Sequence, residues 1–231
     1  MTVPRSPSFT DIPDPLGATP GDVPPLPALL QHLAEVPDRE QVHRRRRAGL
    51  VLSLGWLACH LAVFGVRHDL HELPPAYLAS HIGAPLALAL TSLYVATRPG
   101  QWGLGPSRHW VAALVLGGPI SFWVLGALTP APRPSIPDAE PWLGALMCSD
   151  LMLVWMSVPL FAAAVALRRA FAATAVWRSA LVGASIGLLS GATINLHCAN
   201  VEPYHLVLGH GVPIALGSLL GALVVKHWLQ P

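Results

Sequence analysis

Between residues 195 and 205 the chain gathers Asn195, His197, Cys198, Asn200, Glu202 and His205, and His210 follows five residues later. Thiolate sulfur and imidazole nitrogen are ligands that zinc and the softer transition metals accept, and a thiol in such company is also open to oxidation. The other cysteines are Cys59 and Cys148. Three are too few for a disulfide scaffold, and with no C-x-x-C pair the zinc-ribbon and thioredoxin motifs are absent. Cys148 and Cys198 are left with three chemistries. They can form a disulfide, they can ligate a transition metal with His197, His205 or His210 completing the site, or they can be reactive thiols whose oxidation or metal capture is the signal. As small apolar groups at helix ends they need no chemistry at all. Metal ligation has a geometric objection. His205 and His210 are five residues apart, and in an α-helix that spacing puts them on different faces.

The elements that must position these residues are apolar. The 231-residue chain is 53% hydrophobic and 11% charged, with mean hydropathy +0.52; an ordinary soluble domain carries about 25% charged residues. Six apolar segments occupy roughly 48–66, 76–96, 110–129, 144–167, 177–196 and 206–225. About 20 helical residues at 1.5 Å each cross a 30 Å hydrocarbon core. The expected fold is therefore an all-α membrane protein, a bundle of six transmembrane helices in the lipid bilayer.

Charge orients it. With the N-terminal tail inside, the inner side collects Arg5, Arg39, Arg44, Arg45, Arg46, Arg47, Arg98, Arg108, Arg168, Arg169, Arg178 and Lys226, against Arg67 and Arg133 outside. The positive-inside rule then predicts both termini in the cytoplasm and Cys148 and Cys198 at the outer face. Arg44, Arg45, Arg46 and Arg47 abut the first apolar segment directly, so they read as a topology anchor rather than a nucleic-acid contact.

Residues 1–47 form the cytoplasmic tail and 48–231 the membrane domain. The first apolar run begins after Arg47, so no cleaved signal peptide is expected. The tail opens with eight prolines in its first 27 residues, which predicts an extended, disordered segment. At about 25–40 it changes character: Leu26, Leu29, Leu30, Leu33 and Val36 recur at helical spacing and predict a short amphipathic helix. In the fifth segment Gly183, Gly187 and Gly191, and in the sixth Gly217 and Gly221, make small-x-x-x-small repeats. These suit close packing of the two segments within one chain, or of two copies in a homodimer.

Enzyme chemistry finds less support. Gly187-Leu188-Leu189-Ser190-Gly191 is similar to the glycine–serine turn of rhomboid proteases, but leucine takes the first glycine's place and the His-x-x-x-Asn element is missing. Asp150 is the one acid within a span and stands near its outer end, where interfacial water is within reach. His60 and His81, on adjacent spans, give the alternative of a six-span haem or redox membrane enzyme with histidine ligands.

Several of these features together resemble the NrsF-type anti-sigma factors, six-span proteins of the bacterial inner membrane. They are the basic run before the first span, Gly65-Val66-Arg67-His68-Asp69-Leu70 after it, Cys148 at the start of the fourth, and Pro159 with Arg168-Arg169 at its end. Leu196-His197-Cys198 before the sixth span and Gly217 to Leu229 complete the likeness. Ala199 stands where a proline commonly follows the second cysteine, and His205 and His210 where many relatives carry aromatic residues. The resemblance implies a regulator, not an enzyme, that sequesters an extracytoplasmic-function (ECF) sigma factor on the cytoplasmic side. Release follows a stress signal, redox or metal, with Cys148 and Cys198 as the sensor cysteines. It also gives the tail a purpose: Leu26, Leu29, Leu30, Leu33 and Val36 would be the sigma-binding element, folding on contact, with no direct contact to nucleic acid.

Overall fold

The computed structural model describes residues 39–97, 107–128, 141–167 and 175–225, and all regular structure among them is helical. The chain divides into two units, Met1–Gln41 and Val42–Pro231. The predicted amphipathic segment with Leu26, Leu29, Leu30, Leu33 and Val36 lies outside the described residues, as do the loop arginines Arg98, Arg133, Arg168 and Arg169.

Six long helices follow one another. α1 spans Arg39–Phe64 and takes Arg44 to Arg47 into its first turns, so the basic run enters the apolar helix without a break. α2 joins Pro75–Leu78, a π-helical turn Ala79–Gly83 and Ala84–Thr97. α3 is Arg108–Leu128, α4 Pro141–Ala166 and α5 Ala175–Asn195. α6 joins Pro203–His205, a π-helical turn Leu206–Gly211, Val212–Leu220 and a second π turn Gly221–Val225. Five of the six, all but α5, are long and apolar enough to cross a membrane.

The exception has a physical reason. α5 is 21 residues long but carries Arg178, Ser179, Ser185, Ser190, Thr193 and Asn195, and each of these is buried. It packs against α2, α3, α4 and α6, so its surface meets protein, where small and polar residues serve better than leucine. Ser185 Oγ, for example, donates to the Ala89 carbonyl of α2 at 2.7 Å. α1 is the opposite case. Leu50, Val51, Leu52, Leu54 and Val63 are all exposed, as suits a helix facing lipid.

Glycines set the crossing of α5 and α6. A Cβ on Gly183 would collide with the Gly217 carbonyl oxygen, one on Gly221 with the Ser179 carbonyl, and one on Gly187 would meet Ile214 Cα at 3.0 Å. The small-residue faces noted in the sequence are thus occupied by each other within one chain.

At the end of the bundle that holds Cys198, two connections are tied together. Gly65, with φ of 75°, ends α1 in the left-handed conformation that glycine adopts without strain, and its N–H bonds the Leu61 carbonyl at 2.9 Å. The chain then turns so that Arg67 N–H donates to the Leu196 carbonyl at 2.8 Å. Leu73, Tyr77 and Val201, flanked by Leu70 and Leu78, form a small apolar cluster that closes this end. Pro75 starts α2 at a helix position where the missing N–H costs nothing.

Candidate functional site

Four side chains from three elements converge here. Cys148 is on the second turn of α4, Cys198 in the α5–α6 connection, and His205 and His210 in the first turns of α6. One ligand atom from each lies within 4.8 Å of the other three. Cys148 Sγ and Cys198 Sγ are 3.9 Å apart, and Cys198 Sγ is 3.4 Å from His205 Nε2. The imidazole rings of His205 and His210 meet edge to face with centroids 5.3 Å apart. Both histidines are buried and both cysteines half-buried.

The convergence of the two histidines departs from the α-helical expectation. Between them lies the π turn Leu206–Gly211, whose i→i+5 hydrogen bonding widens the helix by one residue per turn. Residues five apart then share a face. Gly209, inside that turn, lets α4 come close: a Cβ there would stand 3.2 Å from the Ala145 carbonyl, 3.3 Å from Cys148 Cβ and 3.4 Å from His205 Nε2. Ser149 Oγ clips the same place, donating to the Leu208 carbonyl at 2.7 Å.

His197 is not in the cluster. Its ring faces Phe64 at 5.2 Å and His60 at 6.2 Å, within an aromatic group that fastens α1 to α4. There Trp56 Nε1 donates to the Trp155 carbonyl at 3.0 Å, and His60 sits edge-on to Trp155 at 4.7 Å. The physical reason is the turn after Asn195. Backbone bonds from His197 N–H and Cys198 N–H both return to the Ile194 carbonyl, and the two adjacent side chains leave that turn in different directions. Asp150 is exposed on α4 and also outside the cluster. The haem alternative is not favoured. His60 is enclosed by Trp155 and Phe64, while His81 stacks on Tyr77 at 4.1 Å and holds its Nδ1 against Ser80 Oγ at 2.8 Å.

Two residues of the site were not singled out for chemistry from the sequence. Arg67 is buried, and its guanidinium grips Asp69 at two points, 2.7 and 2.8 Å, while Nη1 donates to the Cys198 carbonyl at 3.1 Å. The hydrogen bonds from Arg67 pull the Asp69 carboxyl down to about 2, so the pair is charged at all ordinary pH. The clamp fixes the backbone of Cys198. The second is Asn195. Its Nδ2 donates to the His81 carbonyl on α2 at 3.0 Å, and its Oδ1 lies 3.1 Å from His210 Nδ1. The signal for both was present: a cation in an interhelical loop with an acid two residues on, and an amide at a helix end close to a His-Cys pair.

Electrostatically the cluster favours thiolate at Cys198. The hydrogen bond with Cys148 is the largest cause of its lowered pKa; burial opposes it, and His205 and His210 add to it. A thiolate is the nucleophilic and metal-binding form of cysteine. The site is therefore chemically competent for disulfide formation or for capture of a soft or borderline cation, and the residues present fit either.

Searches of the curated proteins and of the solved structures found no match. A family model did match: NrsF, negative regulator of sigma F, over residues 29–230. That range takes in the residues just before α1, all six helices and both site cysteines, so the chain belongs to the NrsF family of negative regulators of sigma factors.

Proposed function

We propose that the protein is a membrane-bound anti-sigma factor of the bacterial inner membrane that holds an ECF-type sigma factor on the cytoplasmic side and releases it when Cys148 and Cys198 respond to redox or metal stress. The observation that carries this reading is the approach of the two sulfurs to 3.9 Å from separate elements, in a chain of the NrsF family. In the arrangement proposed, six helices cross the membrane with both termini inside. α5, sheltered by the others, is the fifth of these spans despite its polar residues. The positive charge of the tail and inner loops supports that orientation.

The tail element Leu26, Leu29, Leu30, Leu33 and Val36 is the proposed sigma-binding helix, with residues 1–47 forming the cytoplasmic tail. The aliphatic stripe would dock in a groove of the sigma factor and keep it from RNA polymerase. The outer signal acts through α4 and α6, which share the cysteine site. A disulfide or a metal ion there favours one packing of these helices over another, and the state with lower affinity for the sigma factor becomes the populated one. Coupling of this kind needs only a few kcal/mol of preference between the two packings.

The test is co-purification of the full-length protein in detergent with candidate ECF sigma factors from the same organism. Leu29→Asp with Leu33→Asp abolishes capture of the sigma factor while leaving the membrane domain folded. Cys148→Ser and Cys198→Ser each retain capture and each change release under oxidant or metal. Failure of the unaltered protein to retain any sigma factor would sink the regulatory reading. Unchanged release in the double serine variant would remove the cysteines from it.

A further inference from the structure

We infer that Cys148, Cys198, His205 and His210 form a four-ligand site for a borderline or soft divalent cation of the zinc and cadmium class, and that Asn195 sets His210 in the tautomer that binds it. The inference rests on the reading of the cysteine pair as the sensor and makes its chemistry specific.

Distances support it first. For Zn–S near 2.3 Å and Zn–N near 2.0–2.1 Å, a tetrahedron has edges of about 3.8 Å between sulfurs and about 3.5 Å between sulfur and nitrogen. The structure has 3.9 Å between the cysteine sulfurs and 3.4 Å from Cys198 Sγ to His205 Nε2. All four ligand atoms fall within 4.8 Å of one another, so side-chain rotations that shorten the longest of these separations by about an ångström complete the shell. A disulfide instead requires the sulfurs to close to about 2.05 Å.

The imidazoles supply the second and independent observation. His210 is fully buried and its Nε2 has no hydrogen-bond partner. A buried polar nitrogen without a partner is costly, and metal ligation is one way to satisfy it. Asn195 fixes which nitrogen is available. Its NH2 is committed to the His81 carbonyl, so the amide oxygen is the atom facing His210 Nδ1. An oxygen acceptor there calls for a proton on Nδ1, which leaves the Nε2 lone pair free. Second-sphere partners of this kind hold metal-binding histidines in tautomer and orientation. Asn195 is thus a positioning residue. The π turn at Leu206–Gly211 adds the matching geometry, because it brings two histidines at i and i+5 to one face. Two thiolates and two imidazoles select against magnesium and calcium, which prefer oxygen.

The experiment uses the reduced full-length protein in detergent, titrated with Co(II) and then with Zn(II) or Cd(II), with sigma-factor retention measured on the same preparation. One equivalent of Co(II) gives a thiolate-to-metal charge-transfer band and the intense d–d bands of tetrahedral coordination, and Zn(II) bleaches both. In the unaltered protein Zn(II) protects Cys148 and Cys198, but not Cys59, from alkylation, a readout independent of any variant's folding. His205→Ala and His210→Ala each weaken Co(II) binding at least tenfold. Asn195→Leu weakens it about 10–100-fold, the usual range for such partners, and Asn195→Asp, which keeps an oxygen facing Nδ1, restores part of the loss. Absence of the charge-transfer band, or of alkylation protection, overturns the metal site. A band unchanged in His205→Ala and His210→Ala overturns the four-ligand set. A preparation that retains its sigma factor but binds no metal refutes this inference alone. One that binds metal but retains no sigma factor refutes the regulatory reading alone.

Discussion

The crossing of α5 and α6 and the cysteine–histidine end of the same two helices are built on opposite principles. At the crossing, Gly183, Gly187, Gly217 and Gly221 bring two backbones together so closely that no side chain fits between them. At the end that holds Cys198 the same helices diverge into a loop and a π turn, and the space holds sulfur, imidazole and an amide. The interior there contains buried polar atoms without partners, on His205 Nδ1 and His210 Nε2. Dry backbone contact has one arrangement and resists displacement. A polar cluster with unmet bonding capacity has alternatives whose energies a ligand or an oxidant can reorder. The molecule thus places a rigid pivot directly below an adaptable site, and both act on α6.

The largest expected effect comes from filling the pivot. Gly183→Val puts side-chain atoms into the Gly217 carbonyl, a backbone atom that cannot step aside. The cost lies at or beyond the upper end of the about 1–3 kcal/mol typical of overpacking, and loss of the monodisperse folded protein on size-exclusion chromatography in detergent is the expected result. Gly209→Ala is the matched control at the other region. Its added methyl meets Cys148 Cβ at 3.3 Å and the Ala145 carbonyl at 3.2 Å, contacts that α4 relieves by a shift of a few tenths of an ångström. The bundle persists, and the rate of disulfide formation between Cys148 and Cys198 changes. Equal damage from the two substitutions would erase the distinction between pivot and site.

Arg67→Ala ranks next. It removes three hydrogen bonds made by a buried cation, two to Asp69 and one to the Cys198 carbonyl. Hydrogen bonds to charged groups are worth about 1.5–3 kcal/mol each before compensation, and Asp69 regains water when its partner is gone, so a net loss of about 2 kcal/mol is expected. The sharper readout is local. Alkylation of Cys198 accelerates, because its loop loses its anchor, while Cys59, exposed on α1, is unaffected. Unaltered alkylation of Cys198 would mean that the clamp does not hold the site.

Much of this architecture was legible in the sequence, for reasons that differ by element. Spans of about 20 apolar residues are imposed by bilayer thickness and are hard to hide, and the glycine repeats of α5 and α6 announced the contact they make. The cluster was harder to read. The objection to His205 and His210 sharing a face assumed α-helical periodicity, and a π turn depends on the local cost of one extra residue per turn, which no residue spacing records. His197 was grouped with Cys198 because it is adjacent in sequence, yet a tight turn sends its ring to Phe64 and His60. The roles of Asn195 and Arg67 escaped notice because they lie in partners 114 and 131 residues away. α5 shows a different limit: hydropathy measures fitness for lipid, and a helix enclosed by its neighbours is released from that requirement.

The smallest effect expected is that of acid, and its smallness sharpens the comparison. Asp69 has its folded-state pKa lowered to about 2 by the hydrogen bonds from Arg67, against an ordinary carboxylate value near 3.9 in an unfolded chain. A depressed acid contributes stability that is fully present above the unfolded value and is lost as pH falls through the folded one. The difference in thermal midpoint between the unaltered protein and Asp69→Asn therefore stays constant from pH 8 to pH 5. It begins to narrow only below about pH 4 and closes toward pH 2. A difference that already narrowed between pH 7 and pH 5 would show that the clamp titrates in mild acid, and this end of the bundle would then have to be read as an acid-responsive element. With the clamp constant, the backbone that carries Cys198 keeps the same anchor across that range.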